Sequence, residues 1–208
     1  MGAVVSGYVY FTSLYLQQVQ GFGAVLTGLA LLPATGTVIL TSTFLTRRLL
    51  GRLGVKRMLL IGLTSIGAGQ IWLSFLSLGG SYLTVVLPGM LLTAFGMGLA
   101  FPSASVGATT GVDQQQQGMV GGLFATSQQI GSAIGLALLA TVAATRTHLS
   151  HGSLAAGYGL AYLVATGCIL IAGILVATQL SHKACEAEFA RQSREGDQPR
   201  TDALIRKG

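Results

Sequence analysis

Charge is what this sequence most lacks. Only 9% of its 208 residues are Asp, Glu, Lys or Arg, against 51% hydrophobic residues and a mean hydropathy of +0.67. A soluble domain carries about a quarter charged residues. With so few, a water-facing surface could not be covered, so lipid must solvate much of the chain. Acid is scarcest: of six acidic residues, Asp113 stands in a polar connection and the other five follow Ser181. The two cysteines, Cys168 in an apolar run and Cys185 in the tail, lie at different depths and lack metal-ligand spacing, so neither a disulfide nor a metal site is expected. His148 and His151 stand three apart with no third ligand nearby. No nucleophile–base constellation and no phosphate-cradling loop is visible, so no enzyme is expected. Met1 leads straight into apolar sequence with no basic region, so no cleavable signal peptide is expected either.

Apolar run length is what the chain has instead. Spans are expected at about 1–17, 24–45, 58–78, 82–101, 118–144 and 154–180, an all-α integral membrane protein built as a six-helix bundle over 1–182. A helix needs ~20 residues to cross ~30 Å of hydrocarbon; the first span falls slightly short and looks clipped. Pro33 should kink the second span, and Pro102 should close the fourth. Gly79–Gly80–Ser81 makes a tight turn between the third and fourth. The polar stretch 103–117 is read as a connection, with Asp113 able to cap a short helix, and 145–153 as a short loop. The charged tail, 183–208, is expected to be disordered and cytoplasmic.

The positive charge is uneven. Of twelve Lys and Arg, five (Arg47, Arg48, Arg52, Lys56, Arg57) lie in the stretch 46–57 and six in the tail, leaving Arg146 alone on the opposite side. A net charge of +6 in a soluble protein would suggest nucleic acid. Here it is the distribution of cytoplasmic loops, so it reads as topology, with both termini cytoplasmic and no nucleic-acid partner.

The same basic loop carries a resemblance. Arg52, Gly54, Lys56 and Arg57 resemble the loop motif between the second and third helices of each half of the major facilitator superfamily. Arg47 stands where that motif opens with Gly and Gly51 where it has Asp, which fits its degenerate second copy. Tyr15–Gly21 and Leu26–Pro33 look like the start of the C-terminal half in the fourteen-span drug–proton antiporter branch. Gly96–Pro102 and Gly118–Gly131 are similar to later segments of it, in order and at the right spacing.

The resemblance implies the C-terminal half of a proton-coupled multidrug efflux antiporter in a bacterial inner membrane, working by alternating access. It implies no cofactor beyond the proton gradient. Implied partners are the lipid bilayer, a small lipophilic or cationic substrate, and either an N-terminal transporter half or a second copy. None of the six expected spans holds a charged residue, so a coupling carboxylate must lie outside this chain. The alternative is a non-transporting truncated membrane protein, or an assembly partner of another membrane protein.

Candidate substrate-cavity residues are polar or aromatic groups within the spans. Gln17, Gln18, Gln70, Gln128 and Gln129 are costly in hydrocarbon unless partnered; those near span ends have interfacial exposure as an alternative. Tyr8, Phe11, Tyr15 and Phe124 suit an aromatic wall, or core packing. Gly121, Gly122, Gly131 and Gly135 recur at small-residue spacing, which suits close helix packing and, during alternating access, sliding.

Overall fold

The computed structural model describes residues 2–75, 82–109, 115–149 and 157–178, and among these it is helical with no strand. The expected turn at 79–81, the Asp113 cap, His151, Cys185 and the tail 183–208 lie outside the described residues. Two compact units divide the chain, Met1–Gly173 and Ile174–Gly208. Of the second, residues 174–178 are described, a helical end in which the Thr178 hydroxyl donates to the Ile174 carbonyl at 3.0 Å.

Among the described residues six helices follow one another. They are α1 (Gly2–Leu14, continued by a π-helical turn, Tyr15–Val19), α2 (Ala24–Leu40, continued by a π-helical turn, Thr41–Thr46) and α3 (Arg47–Ser74). Then come α4 (Leu87–Thr109, entered through a π-helical turn, Tyr82–Val86), α5 (Gln117–Leu149) and α6 (Gly157–Thr178). Four are long and apolar enough to cross a bilayer: Ala24–Thr46, Tyr82–Thr109, Gln117–Thr147 and Gly157–Thr178. Of the other two, α1 is short and α3 devotes its first third to the basic cluster.

Pairwise contacts within Met1–Gly173 fix the directions. Along α3 and α4, Val55 lies by Gly107, Gly62 by Ala100, Gly69 by Thr93 and Leu73 by Gly89, so the two are antiparallel. Along α2 and α4, the Tyr82 hydroxyl donates to the Ala30 carbonyl at 2.7 Å and Thr46 reaches Gly98, so these two are parallel. Hence α2 and α3 run oppositely although helical structure is continuous from one into the next. The reversal is at Gly54, whose φ of 74° and ψ of 163° are the sole non-helical values inside α3. That combination is open essentially to glycine alone. The basic stretch is therefore not the open loop expected from its composition: it is two helix ends meeting at one glycine. The other directions follow the same alternation, with α1 parallel to α5 (Ala3 by Gly135, Gly7 by Leu139) and antiparallel to α6 (Thr12 by Tyr162, and Gln18, just beyond α1, by Tyr158).

Two further expectations change. Pro102 does not close α4, which runs on to Thr109 and takes in the first part of the supposed connection. A proline removes the donor that its own helix would offer to the carbonyl four residues earlier, here Gly98. The Thr46 hydroxyl supplies that donor at 2.9 Å, so the helix continues without an orphaned carbonyl. Pro33 sits inside α2, as expected, and α2 runs on to Leu40. The short loop expected from Thr145 is helical through Leu149.

The most extensive helix–helix contact is between α3 and α4. A Cβ added at Gly62 would lie 2.8 Å from the Ala100 nitrogen, and one at Gly96 would lie 2.5 Å from the Gly62 carbonyl oxygen. At Gly69 it would collide with Thr93, and at Gly89 it would lie 2.7 Å from Leu73 Cγ. Small residues let membrane helices approach backbone to backbone. The four glycines are spaced by seven on each helix, 62/69 and 89/96, which puts each pair on one face two turns apart.

Candidate functional site

The polar and aromatic residues of α1 divide by helical face. Tyr8, Phe11, Thr12, Tyr15 and Leu16 are buried, whereas Gln17 and Gln18 are exposed. The buried face meets α6. Thr12 and Tyr162 share a buried hydroxyl–hydroxyl bond of 2.9 Å, and the Tyr158 hydroxyl donates to Gln18 Oε1 at 2.8 Å. Phe11 packs between the two tyrosines, ring centroids 5.6 Å from Tyr158 and 6.2 Å from Tyr162. Gln17 Nε2 donates to the Ser13 hydroxyl at 3.1 Å on its own helix.

Beside this cluster is a cavity of about 260 Å³ between α1, α5 and α6, walled by Tyr10, Phe11 and Tyr158 and floored by Ala140, Ala143, Ala144 and Thr147. It lies at the end of the bundle away from Gly54, since α1 and α5 run in parallel towards it. Its chemistry is aromatic and aliphatic with hydroxyls at the margin, and no carboxylate, amine, guanidinium or imidazole lines it. Such a wall recognises size, planarity and apolar surface, and an aromatic face also attracts a cation. A second opening of about 480 Å³, lined by Val38, Ser42, Met97, Phe101 and Ser105 among others, lies nearer the Gly54 end.

The expected cavity residues are not brought to one place. Phe11 lines the aromatic cavity, Gln18 touches its edge through Tyr158, and Tyr8, Tyr15 and Gln70 are in the interior. Phe124 and Gln128, both half-buried, and exposed Gln129 are on α5. Of the glycines expected to pack helices, Gly135 does so against Ala3, whereas a Cβ at Gly121, Gly122 or Gly131 would meet nothing within 4 Å. Those three lie in the exposed part of α5, with Met119, Leu123 and Ile130. Tyr10, Thr12, Tyr158 and Tyr162 escaped the sequence reading. The signal for the last two was their four-residue spacing on an otherwise aliphatic helix.

Of the basic cluster, Arg48 and Arg57 are exposed and Lys56 is half-exposed, around the Gly54 reversal. No Asp or Glu occurs among the described residues, so within them these cations have no carboxylate partner.

Comparison with known proteins agrees with this architecture. The sequence profile of the Major Facilitator Superfamily matches residues 1–136. The chain belongs to that family of multi-pass membrane transporters, and its all-α bundle is one half of the family's fold. It is similar to the puromycin resistance protein pur8 of Streptomyces alboniger, 32% identical over 81% of this chain and 36% of that protein. It is also similar to the multidrug resistance protein Stp of Mycobacterium tuberculosis, 34% identical over 67% of this chain and 26% of that one. With the cephamycin export protein CmcT of Amycolatopsis lactamdurans it shares 31% identity over 74% of this chain and 32% of that one. The chain thus spans about a third or less of these relatives.

Proposed function

We propose that this chain is the C-terminal six-helix half of a proton-coupled drug or multidrug efflux antiporter. It works by alternating access in a bacterial inner membrane, with both termini cytoplasmic. The observation that carries the reading is the aromatic cavity at Phe11, Tyr10 and Tyr158, in a chain whose relatives are named for drug resistance and export. Its volume, about 260 Å³, is a little under the ~300–1,000 Å³ usual for small-molecule sites, as suits one wall of a cavity whose other side a partner half would supply. Its lining suits a small lipophilic or cationic substrate. The positive-inside rule supports the topology, because the five cations around Gly54 mark one end of the bundle.

The described helices hold no carboxylate to carry the coupling proton, so that group belongs to the partner half. The apolar faces of α2 and α5, where Val25 is 80% and Met119 72% exposed, suit that partner, either an N-terminal transporter half or a second copy. The test is drug accumulation in cells expressing this chain alone and together with the N-terminal half of a related transporter. Efflux is expected only from the pair, abolished by a proton uncoupler and weakened by Phe11→Ala. Robust efflux by this chain as a monomer would overturn the reading, and would leave a non-transporting assembly partner without support as well.

A further inference from the structure

Beyond Gly54 the exposed residues of α3 form a single stripe. They are Arg57, Ile61, Thr64, Ala68, Ile71 and Trp72, with Phe75 just past the helix end. Steps of three and four residues keep them on one face, and every residue between them is buried or half-buried. Past Arg57 the stripe is apolar along its length. The Thr64 hydroxyl is turned back on the Leu60 and Ile61 carbonyls, both at 3.0 Å, so it offers no free donor. On the α4 side the stripe is flanked by Leu92, 39% exposed, whose carbonyl accepts from the Ser65 hydroxyl at 2.8 Å.

The two ends differ in chemistry. Trp72 and Phe75 stand at one, where a tryptophan ring suits the membrane interface. Arg57 stands at the other, with Lys56 next to it. Eighteen residues separate Arg57 from Phe75, about 27 Å at 1.5 Å per residue, close to the ~30 Å of a bilayer's hydrocarbon. The stripe is thus a lipid-facing track of bilayer length, aromatic at one headgroup level and cationic at the other. At the cationic level the charge is unmatched. Arg57 is exposed, Lys56 is half-exposed, Arg48 is exposed on the other side of Gly54, and no Asp or Glu occurs among the described residues. A long cationic side chain at the edge of the hydrocarbon reaches for the headgroups.

We propose that Lys56 and Arg57 hold the headgroup of an anionic phospholipid, with its acyl chains lying on the stripe over Ile61, Thr64 and Ala68. The phosphate oxygens accept from the Arg57 guanidinium and the Lys56 ammonium. The small side chains of Thr64 and Ala68, between Ile61 and Ile71, leave a shallow bed for the chains. A zwitterionic lipid fits the same track, but its own cation cancels much of the attraction. The site is on the outside of the bundle, at the end away from the Phe11 cavity, and does not rest on the transport reading.

The test uses the full chain with Trp72→Phe and Thr64→Trp, which puts its sole tryptophan on the stripe about 10 Å beyond Arg57. It is reconstituted in vesicles of equal phosphatidylglycerol and phosphatidylcholine, with the acyl chains of one or the other brominated. Quenching of the tryptophan fluorescence then gives the local ratio of the two lipids. Phosphatidylglycerol is expected to be favoured about fivefold, the factor that one Lys or Arg contributes near an anionic surface. Lys56→Gln with Arg57→Gln should bring the ratio to one, and the unsubstituted chain, reporting from Trp72 at the other end, should show no preference. Equal quenching by both lipids, as when acids of the chain's own tail occupy the cations, overturns the proposal. So does a preference that survives the double substitution or is matched at Trp72. Absence of quenching by either lipid overturns it in favour of protein covering the stripe, and loss of the preference in inorganic phosphate at constant ionic strength in favour of a free anion. Should the double variant not fold, salt decides. The preference should fall towards one at about 1 M salt, where the Debye length is ~3 Å, and a preference unchanged there overturns the proposal.

Discussion

The Thr46 hydroxyl and the Gly98 carbonyl, 2.9 Å apart, join the end of α2 to the middle of α4 at the one carbonyl that Pro102 cannot let its own helix satisfy. Thr46 is also bound to the Thr41 carbonyl at 3.1 Å. One side chain thus ties the π-helical turn before the basic cluster to the proline site.

Thr46→Val keeps the shape and removes the donor. An unsatisfied buried carbonyl costs ~1–3 kcal/mol, so the purified chain should lose about that much stability on denaturant titration in micelles. Pro102→Ala restores the helix's own donor to Gly98. In the double variant most of the loss should disappear, a coupling that a double-mutant cycle reads directly. Additive losses would show that the threonine matters for another reason.

Gly54 should tolerate no side chain. Its dihedral angles belong to a region that costs a non-glycine residue ~1–3 kcal/mol. A Cβ there would meet nothing within 4 Å, so crowding plays no part. Gly54→Ala should therefore destabilise the chain by roughly that amount through the backbone alone. A loss no larger than that of Gly28→Ala, another uncrowded position, would refute the assignment of the reversal to this residue.

The two glycine sets should respond oppositely. Gly62→Val and Gly96→Val overpack a backbone contact, where forced strain costs ~1–3 kcal/mol or more. Gly121→Ala, Gly122→Ala and Gly131→Ala meet open space, and should leave the isolated chain unchanged or stabilise it by up to ~1 kcal/mol through helix propensity. The same alanines should weaken assembly if another bundle covers α5. Unfolding in micelles and co-purification with a transporter half separate the two effects.

Neutralising Arg47, Arg48, Arg52, Lys56 and Arg57 together should scramble orientation in the membrane, read by reporter fusions on either side of the stretch. These five are the main positive cluster among the helices, and Lys/Arg bias sets orientation. Unchanged orientation would leave the tail as the anchor.

Much of the bundle was legible because a membrane helix announces itself by length and hydropathy, as at Tyr82 and Gly157. Helix ends were less so. Proline at 102 reads as a stop because sequence cannot show Thr46, more than fifty residues away, coming to its carbonyl. The basic stretch reads as a loop because five cations in twelve residues look soluble, yet charge says nothing of backbone angles and only Gly54 turns. The candidate site was half legible. Phe11 belongs to an aromatic wall, but its companions Tyr158 and Tyr162 come from the far end of the chain, a long-range pairing with no local mark. Of the glycines of α5 that drew attention by clustering, Gly135 alone packs, while those between α3 and α4, at 62, 69, 89 and 96, were hidden by their wider seven-residue interval.

That interval has a mechanical consequence. If α3 slid along α4, the next setting that faces glycine with glycine lies seven residues away, ~10.5 Å at 1.5 Å per residue, and there only one of the two pairs still meets. Every smaller displacement drives a side chain into backbone. The two helices are keyed like a bolt in a slot, so whatever rearrangement the membrane half undergoes must carry them along as a single strut and find its slack at other seams.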